Sequence, residues 1–181
     1  SNIFLSSITK KIPIEAVIHF AGLKSVEKSI KEPLLYWENN VMGTLILLQE
    51  MEKYNCQKIV FSSSASVYCS KDLIDGKKKV CLSENSNLKP IHPYGQTKLS
   101  IERMLKNAYD SQSNKWSIIN LRYFNPIGAH QTGLIGEKPL KVPDNLFPYI
   151  CKVASKEINE LKIYGKDWPT MDGTCIRDFI H

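Results

Sequence analysis

The 181-residue chain contains no apolar run approaching the ~20 residues that a membrane-spanning helix requires. Its first residues, SNIFLSSITKKIP, have neither the apolar core nor the small-residue cleavage pattern of a secretory signal. The five cysteines (Cys56, Cys69, Cys81, Cys151 and Cys175) are scattered, odd in number and include no C-x-x-C pair. That usage disfavours a disulfide framework or structural zinc and suits a reducing cytosol, so a cytoplasmic location is expected. The four histidines form no H-E-x-x-H helix, and no metal is expected. No G-x-S-x-G elbow accompanies the serine-rich segment, which argues against a serine hydrolase. Internal repeats and low-complexity tracts are missing too. There is no initiating Met and the last residues are DFIH, so both ends read as cuts in a longer protein.

What is present supports a folded domain. A hydrophobic content of 43% suffices for a packed core. The formal charge of +6 is modest, and the run Lys77, Lys78, Lys79 reads as a solvated loop. Basic and aromatic residues are not interleaved on one face, so no nucleic-acid partner is expected.

Short apolar runs alternate with helical patterns. Ala16–Ala21 (AVIHFA), ending at Gly22, reads as a strand buried on both faces. From Pro33 to Tyr54, Val41, Leu45, Leu48 and Met51 or Glu52 recur at helical spacing, with Ile46 and Leu47 filling in, which predicts a largely buried helix. Lys58–Phe61 predicts a second strand that runs into Ser62, Ser63 and Ser64. A polar stretch from Cys69 to Pro93 reads as a long loop. A helix from Tyr94 to about Tyr109 and a strand from Trp116 to Arg122 follow. Alternating strands and helices with long crossovers imply an α/β fold, a Rossmann-like parallel sheet with helices on both faces. After Asn125, prolines and glycines punctuate the chain before a helix at Leu146–Lys156 and a short strand at Leu161–Tyr164. The expected division is therefore 1–125 for a nucleotide-binding layer and 126–181 for part of a smaller substrate-facing region.

The sharpest pattern is Tyr94-Gly95-Gln96-Thr97-Lys98. On a helical wheel, Lys98, Ile101, Leu105 and Ala108 fall within about 40° of Tyr94, whereas Glu102, Arg103 and Lys106 fall to the other side. The phenol and the ammonium thus share the apolar stripe, where a charge is costly unless it is compensated. A chemical role supplies compensation: a cation beside a phenol favours phenolate, and an ammonium donates to hydroxyls. A surface tyrosine with a snorkelling lysine is the plain alternative. Ser64 closes a strand at the sheet edge where open α/β sheets bind ligands. It could bond a substrate hydroxyl and the Tyr94 oxygen, or simply cap a turn.

Taken in order, HFAGLKSVEKS, ENNVMGT, FSSSASVY, PYGQTKLSIE, LRYFNPIGAH, DNLFPYI and DGTCIRDFIH resemble the extended short-chain dehydrogenase/reductase family, more narrowly its UDP-glucose/UDP-galactose 4-epimerases. The resemblance covers nearly the whole chain from Ala16. It implies NAD as cofactor and a redox epimerisation of a UDP-sugar through a 4-keto sugar, in galactose metabolism. By matched position, Tyr94 is the catalytic base, Lys98 its ribose-binding partner and Ser64 the substrate-contacting serine. Phe20, Ala21, Gly22, Leu23, Lys24, Asn39 and Phe124 match cofactor contacts. Lys24, Ser25, Val26, Asn125, Asn145, Leu146, Lys162, Ile163, Tyr164 and Arg177 match the nucleotide-sugar site. Arg177 suits the pyrophosphate because guanidinium binds phosphate bidentately.

The resemblance further implies a homodimer built on the Tyr94 helix and the helix around Val41–Met51. The family's glycine-rich turn is expected before Ser1, so the 181 residues alone should bind NAD weakly. Within the chain, the loop around Lys71–Val80 is longer than the family pattern, and Phe179 stands where a tyrosine is common. A 4,6-dehydratase would need acidic residues after the strand, and Ser63-Ser64-Ala65 offers none. Epimerases for UDP-N-acetylhexosamine, UDP-glucuronate or UDP-arabinose, and a non-catalytic NAD-sensing protein, stay open.

Overall fold

In the computed structural model, which describes residues 14–68, 81–112, 115–137, 143, 145–163, 165–168 and 170–181, the three apolar runs predicted as strands lie side by side. They are β1 (Val17–His19), β2 (Lys58–Ser64) and β3 (Ser117–Tyr123), parallel throughout and in the order β1-β2-β3. The register sets Val17 beside Ile59 and Ile59 beside Ile118. β2 is central, and its alternation decides which face carries the core. Ile59, Phe61 and Ser63 are buried, whereas Val60, Ser62 and Ser64 are only partly covered. Leu48, Met51, Ile101, Leu105 and Trp116 close over Ile59 and Phe61. Fully burying each large apolar side chain contributes roughly 1.5–3 kcal/mol. On the opposite face of the sheet, Ile18 and Ile119 stay exposed.

The helical stretch predicted from Pro33 is continuous but not uniform. An α-helical turn, α2 (Pro33–Tyr36), passes into a π-helical segment (Trp37–Met42) and then into α3 (Gly43–Lys53). Its buried side is Tyr36, Asn40, Thr44, Leu48 and Met51. Leu45 and Ile46, expected inside, are exposed. The apolar count misplaced the face because Asn40 and Thr44 are buried with partners. Thr44 Oγ1 donates to the Asn40 carbonyl at 2.6 Å and lies 2.9 Å from His19 Nε2. A short helix not foreseen in the sequence, α1 (Val26–Lys31), precedes this stretch and is N-capped by Ser25. Helix α4 (Pro93–Ser111) then starts one residue earlier than expected, with Pro93 in its first turn.

The chain divides into two compact units, Ser1–Tyr123 and Phe124–His181. The second unit holds two short parallel strands, β4 (Asn125–Pro126) and β5 (Phe179–Ile180), and one helix, α5 (Leu146–Ala154). Phe147 meets Phe179 edge to face at 5.3 Å. The helix ends before the expected Lys156, which sits in the left-handed region at φ 63° and cannot extend it. The strand expected at Leu161–Tyr164 does not form over 161–163, which are exposed and unpaired with any strand, and Tyr164 lies outside the described residues. So do the Lys77–Lys79 run and residues 69–80 of the long loop; 81–92 form turns, with Leu88 bridged to Tyr68. No helix of the described residues is long and apolar enough to cross a membrane.

Candidate active site

Three consecutive residues at the end of β2 each meet one residue of α4. The Ser62 carbonyl accepts a hydrogen bond from Lys98 Nζ at 2.7 Å. The Ser63 hydroxyl donates to the Glu102 carboxylate. The Ser64 side chain acts on the Tyr94 phenol, drawing its pKa down, and its Oγ accepts from the Ser66 N–H at 3.2 Å. Residues 94, 98 and 102 are one helical turn apart, so a single face of α4 is pinned along the strand end. Glu102, expected to point away, is 6% exposed. It sits at about 80° from Tyr94 on the wheel, at the edge of the buried stripe rather than opposite it.

Close approach at the helix start depends on Gly95. A Cβ there would lie 2.5 Å from the Ser66 carbonyl oxygen and 2.8 Å from Pro90 Cβ. Backbone cannot yield to that, so only glycine lets the first turn of α4 approach the loop after β2 this closely.

Burial governs the charges. The Tyr94 phenol is pushed above its ordinary value by burial and pulled part of the way back by Ser64. Lys98, 5% exposed, is pushed down to about 8 by burial. Its ammonium lies 4.8 Å from the Phe61 ring centroid and 5.9 Å from that of Tyr94. The expected downward pull of Lys98 does not figure in the phenol's shift: desolvation raises it, and Ser64 lowers it in part.

The lysine's cost has a testable sign. The unfolded chain holds the proton to the usual 10.5, while the folded chain releases it near 8. Charged Lys98 therefore costs the fold about 3 kcal/mol below pH 8, and that cost fades as pH rises toward 10.5. Lys98→Met forfeits the bond to Ser62, worth about 1 kcal/mol. The variant should therefore be more stable than wild type by roughly 2 kcal/mol at neutral pH, with the advantage shrinking in alkali. Urea midpoints at neutral and alkaline pH measure it; an advantage that ignores pH would refute the assignment.

The loop after β1 is held by a residue the sequence reading missed. Asn40 Oδ1 accepts from the Leu23 N–H at 2.8 Å, and Asn40 Nδ2 donates to the Leu23 carbonyl at 3.0 Å. Gly22, at φ +156°, passes so close that a Cβ would lie 3.2 Å from Asn40 Oδ1. Asn39, predicted at the cofactor, is exposed and donates to Asn40 Oδ1 at 3.1 Å. A π-helical segment carries both asparagines, and Asn40 is the one bonded to the loop; such segments are common at functional sites. Phe20, Ala21, Gly22 and Lys24 are exposed at this sheet edge, and Phe20 meets Tyr123 at 6.2 Å. Ser25 is used as a cap: its Oγ accepts from the Lys28 N–H at 3.3 Å, with Val26 opening α1.

The structure therefore brings Ser64, Tyr94 and Lys98 together in the first unit, beside the elements carrying Phe20–Val26 and Asn39. Phe124, Asn125, Asn145, Leu146, Lys162, Ile163 and Arg177 belong to the second unit. Asn125 Nδ2 donates to the Asp178 carbonyl at 2.9 Å, tying β4 to the segment before β5. Asn145 occupies the N-cap of α5 but makes no side-chain cap bond. Leu146, Lys162, Ile163 and Arg177 are exposed.

A parallel sheet whose serine-ended strand meets a half-buried tyrosine, four residues ahead of a buried lysine, is the arrangement that the resemblance to the extended short-chain dehydrogenase/reductase family implies. The chain belongs to the NAD dependent epimerase/dehydratase family, whose model matches residues 4–181. It is similar to UDP-glucose 4-epimerase 2 of Arabidopsis thaliana, 48% identical over 98% of this chain and 49% of that protein. It is 48% identical to the UDP-glucose 4-epimerase of Bacillus subtilis (strain 168), over 98% of this chain and 50% of the other. Among solved structures, UDP-glucose 4-epimerase from Bifidobacterium longum in complex with NAD+ and UDP superposes with a TM-score of 0.88 at 43% identity. That match covers 100% of this chain and 52% of the other. The resemblance read from the motifs is thus shown, and the chain spans about half the length of the relatives it matches.

Proposed function

We propose that the protein carrying this chain interconverts UDP-galactose and UDP-glucose through a transient 4-keto sugar, with NAD as its cofactor. The observation that carries this reading is the buried Lys98 ammonium, bonded to the Ser62 carbonyl at the serine-ended strand and 5.9 Å from the Tyr94 ring centroid. The residues fit a nicotinamide nucleotide. Gly22 keeps the strand-end backbone bare, and Lys98 spends one of its three donors on Ser62, which suits it to ribose hydroxyls. When bound, NAD supplies the hydride acceptor and donor that the sugar carbon needs. Tyr94, as phenolate, takes the proton of the sugar 4-hydroxyl and later returns it. Ser64 holds the phenol oxygen and the substrate hydroxyl in one line. Lys98 holds the ribose and stabilises the phenolate once its own proton is kept by a bound anion.

In this reading residues 1–125 serve the cofactor and 126–181 the nucleotide sugar. Phe20, Ala21, Leu23, Lys24, Asn39 and Phe124 flank the cofactor. Lys24, Ser25, Val26, Asn125, Asn145, Leu146, Lys162, Ile163 and Tyr164 line the sugar nucleotide, and Arg177 clamps its pyrophosphate. The exposed Met42, Leu45 and Ile46 support a homodimer through the helical stretch 33–53 and α4, and the scattered cysteines suit a cytoplasmic location. Sedimentation that finds only monomer would remove the dimer. The test of function is turnover by the full-length protein. UDP-galactose should be converted to UDP-glucose well above the rate for UDP-N-acetylgalactosamine. Preference for the acetylated sugar would move the assignment to another UDP-sugar, and no turnover of either would end it.

A further inference from the structure

The residue that is to act as base lies in the first turn of helix α4, so whatever fixes that turn also fixes the phenol. His92 is the N-cap, with an extended backbone at φ −134° and ψ 157°. Its Nδ1 accepts a hydrogen bond from the Gly95 N–H at 3.1 Å. The imidazole also lies parallel to the Tyr94 ring, with centroids 6.1 Å apart and 9° between the planes. One side chain thus secures the turn that carries the phenol and braces the phenol ring itself.

We propose that His92 is a positioning residue for Tyr94: as a neutral imidazole it caps α4 and holds the phenol ring, and gaining a proton undoes both. This rests on the proposed role of Tyr94 as base. Only neutral imidazole with its proton on Nε2 can accept at Nδ1. Protonation turns that acceptor into a donor facing the Gly95 N–H, and adds a positive charge at the positive end of the helix. Burial favours the neutral ring, holding its pKa below the ordinary 6.5. The titratable group against the ring is the Tyr94 phenol; Pro90 and the Ser66 carbonyl, which crowd the same turn at Gly95, carry no charge.

Two effects of protonation oppose each other. An imidazolium beside the phenol would favour phenolate and raise the rate. Release of the cap would displace the phenol, and a misplacement of about 1 Å can cost on the order of a hundredfold. The displacement should win, because the phenolate gain counts only while the oxygen stays aimed at its target.

The test uses the full-length protein, comparing wild type, His92→Asn and His92→Ala in kcat and KM across the acid range, with thermal melts at each pH. Asparagine caps helices well but does not titrate. Wild-type kcat should fall on acidification with an apparent pKa below 6.5, while the fold persists. His92→Asn should lose that acid limb and run roughly two- to tenfold slower at neutral pH for want of the ring contact. His92→Ala should lose about tenfold or more in kcat with little change in KM. An acid limb in His92→Asn matching wild type, or a wild-type rate that rises on acidification, would overturn the proposal. If His92→Ala does not fold, the His92→Asn profile alone decides. A wild type that turns over no UDP-sugar fails the functional reading, whereas an active wild type with an unaltered His92→Asn profile fails this inference alone.

Discussion

Tyr94→Phe in the full-length protein is expected to lower kcat by roughly 10²–10⁴-fold, the usual contribution of a positioned acid–base group. The substitution removes one oxygen and leaves the ring, so the contact with His92 and the packing of the first turn of α4 persist. Lys98 keeps its bond to Ser62, and Ser64 keeps its bonds with Ser66. What disappears is the only titratable group the proposed chemistry places on the sugar hydroxyl. Affinity for the nucleotide sugar should therefore stay within a few-fold while turnover collapses, a loss realised in the transition state alone. Steady-state kinetics with the wild type's melting temperature as a control measure both. A rate within tenfold of wild type would mean that another group takes the proton. A wild type that binds NAD but turns nothing over would favour the sensing protein over the enzyme.

The face of α4 that carries Tyr94 and Lys98 was legible in the sequence because the two share a helical stripe with Ile101 and Leu105, and a buried lysine asks for a reason. The parallel sheet was legible for a similar cause: its strands are short apolar runs separated by lengths that only crossovers fill. What escaped is mostly polar. Asn40 and Thr44 are buried, yet a search for apolar periodicity skips them and selects Leu45 and Ile46, which are exposed. Glu102 reads as a solvent-facing charge until Ser63 and Arg122 are seen to meet it. His92 carried a usable signal, since it precedes a proline at a helix start, where a cap belongs. β4 and β5 have two residues each and no periodicity to find. At 161–163 an apolar alternation pointed to a strand, but none of the described residues pairs with it as a strand.

The same face of α4 therefore does two jobs. In the proposed mechanism Tyr94 and Lys98 supply the chemistry, and burial disfavours the charged form of each. Glu102, one turn further on, supplies the anchor that offsets this. It links β2 through Ser63 and β3 through Arg122, so the phenol's distance from Ser64 is set by a network spanning two strands and a helix.

Breaking that anchor should produce the largest loss of stability in the first unit. Arg122 donates to Glu102 from Nη2 at 2.8 Å and from Nε at 3.1 and 3.3 Å. Its Nη1 donates to the Tyr68 hydroxyl at 3.1 Å and to the Glu84 carbonyl at 2.9 Å, and the guanidinium lies 5.0 Å from the Tyr68 ring centroid. The two side chains are 18% and 6% exposed, so the pair is shielded from solvent rather than lying at the rim. Arg122→Ala leaves a buried carboxylate with Ser63 as its remaining donor, and should cost about 3–5 kcal/mol. Glu102→Gln keeps the shape and strands the guanidinium less deeply, and should cost less. The double variant Glu102→Leu with Arg122→Met should be milder than Arg122→Ala alone, because no uncompensated charge is left in the fold. Denaturant midpoints for Glu102→Leu, Arg122→Met and the double variant form the cycle, and a coupling of several kcal/mol is expected. Because the network also sets the approach of Tyr94 to Ser64, Arg122→Ala should lose kcat at temperatures where it is still folded. If Arg122→Ala costs under about 1 kcal/mol and the cycle is additive, the pair behaves like a solvated surface bridge and Glu102 is not the anchor of this face.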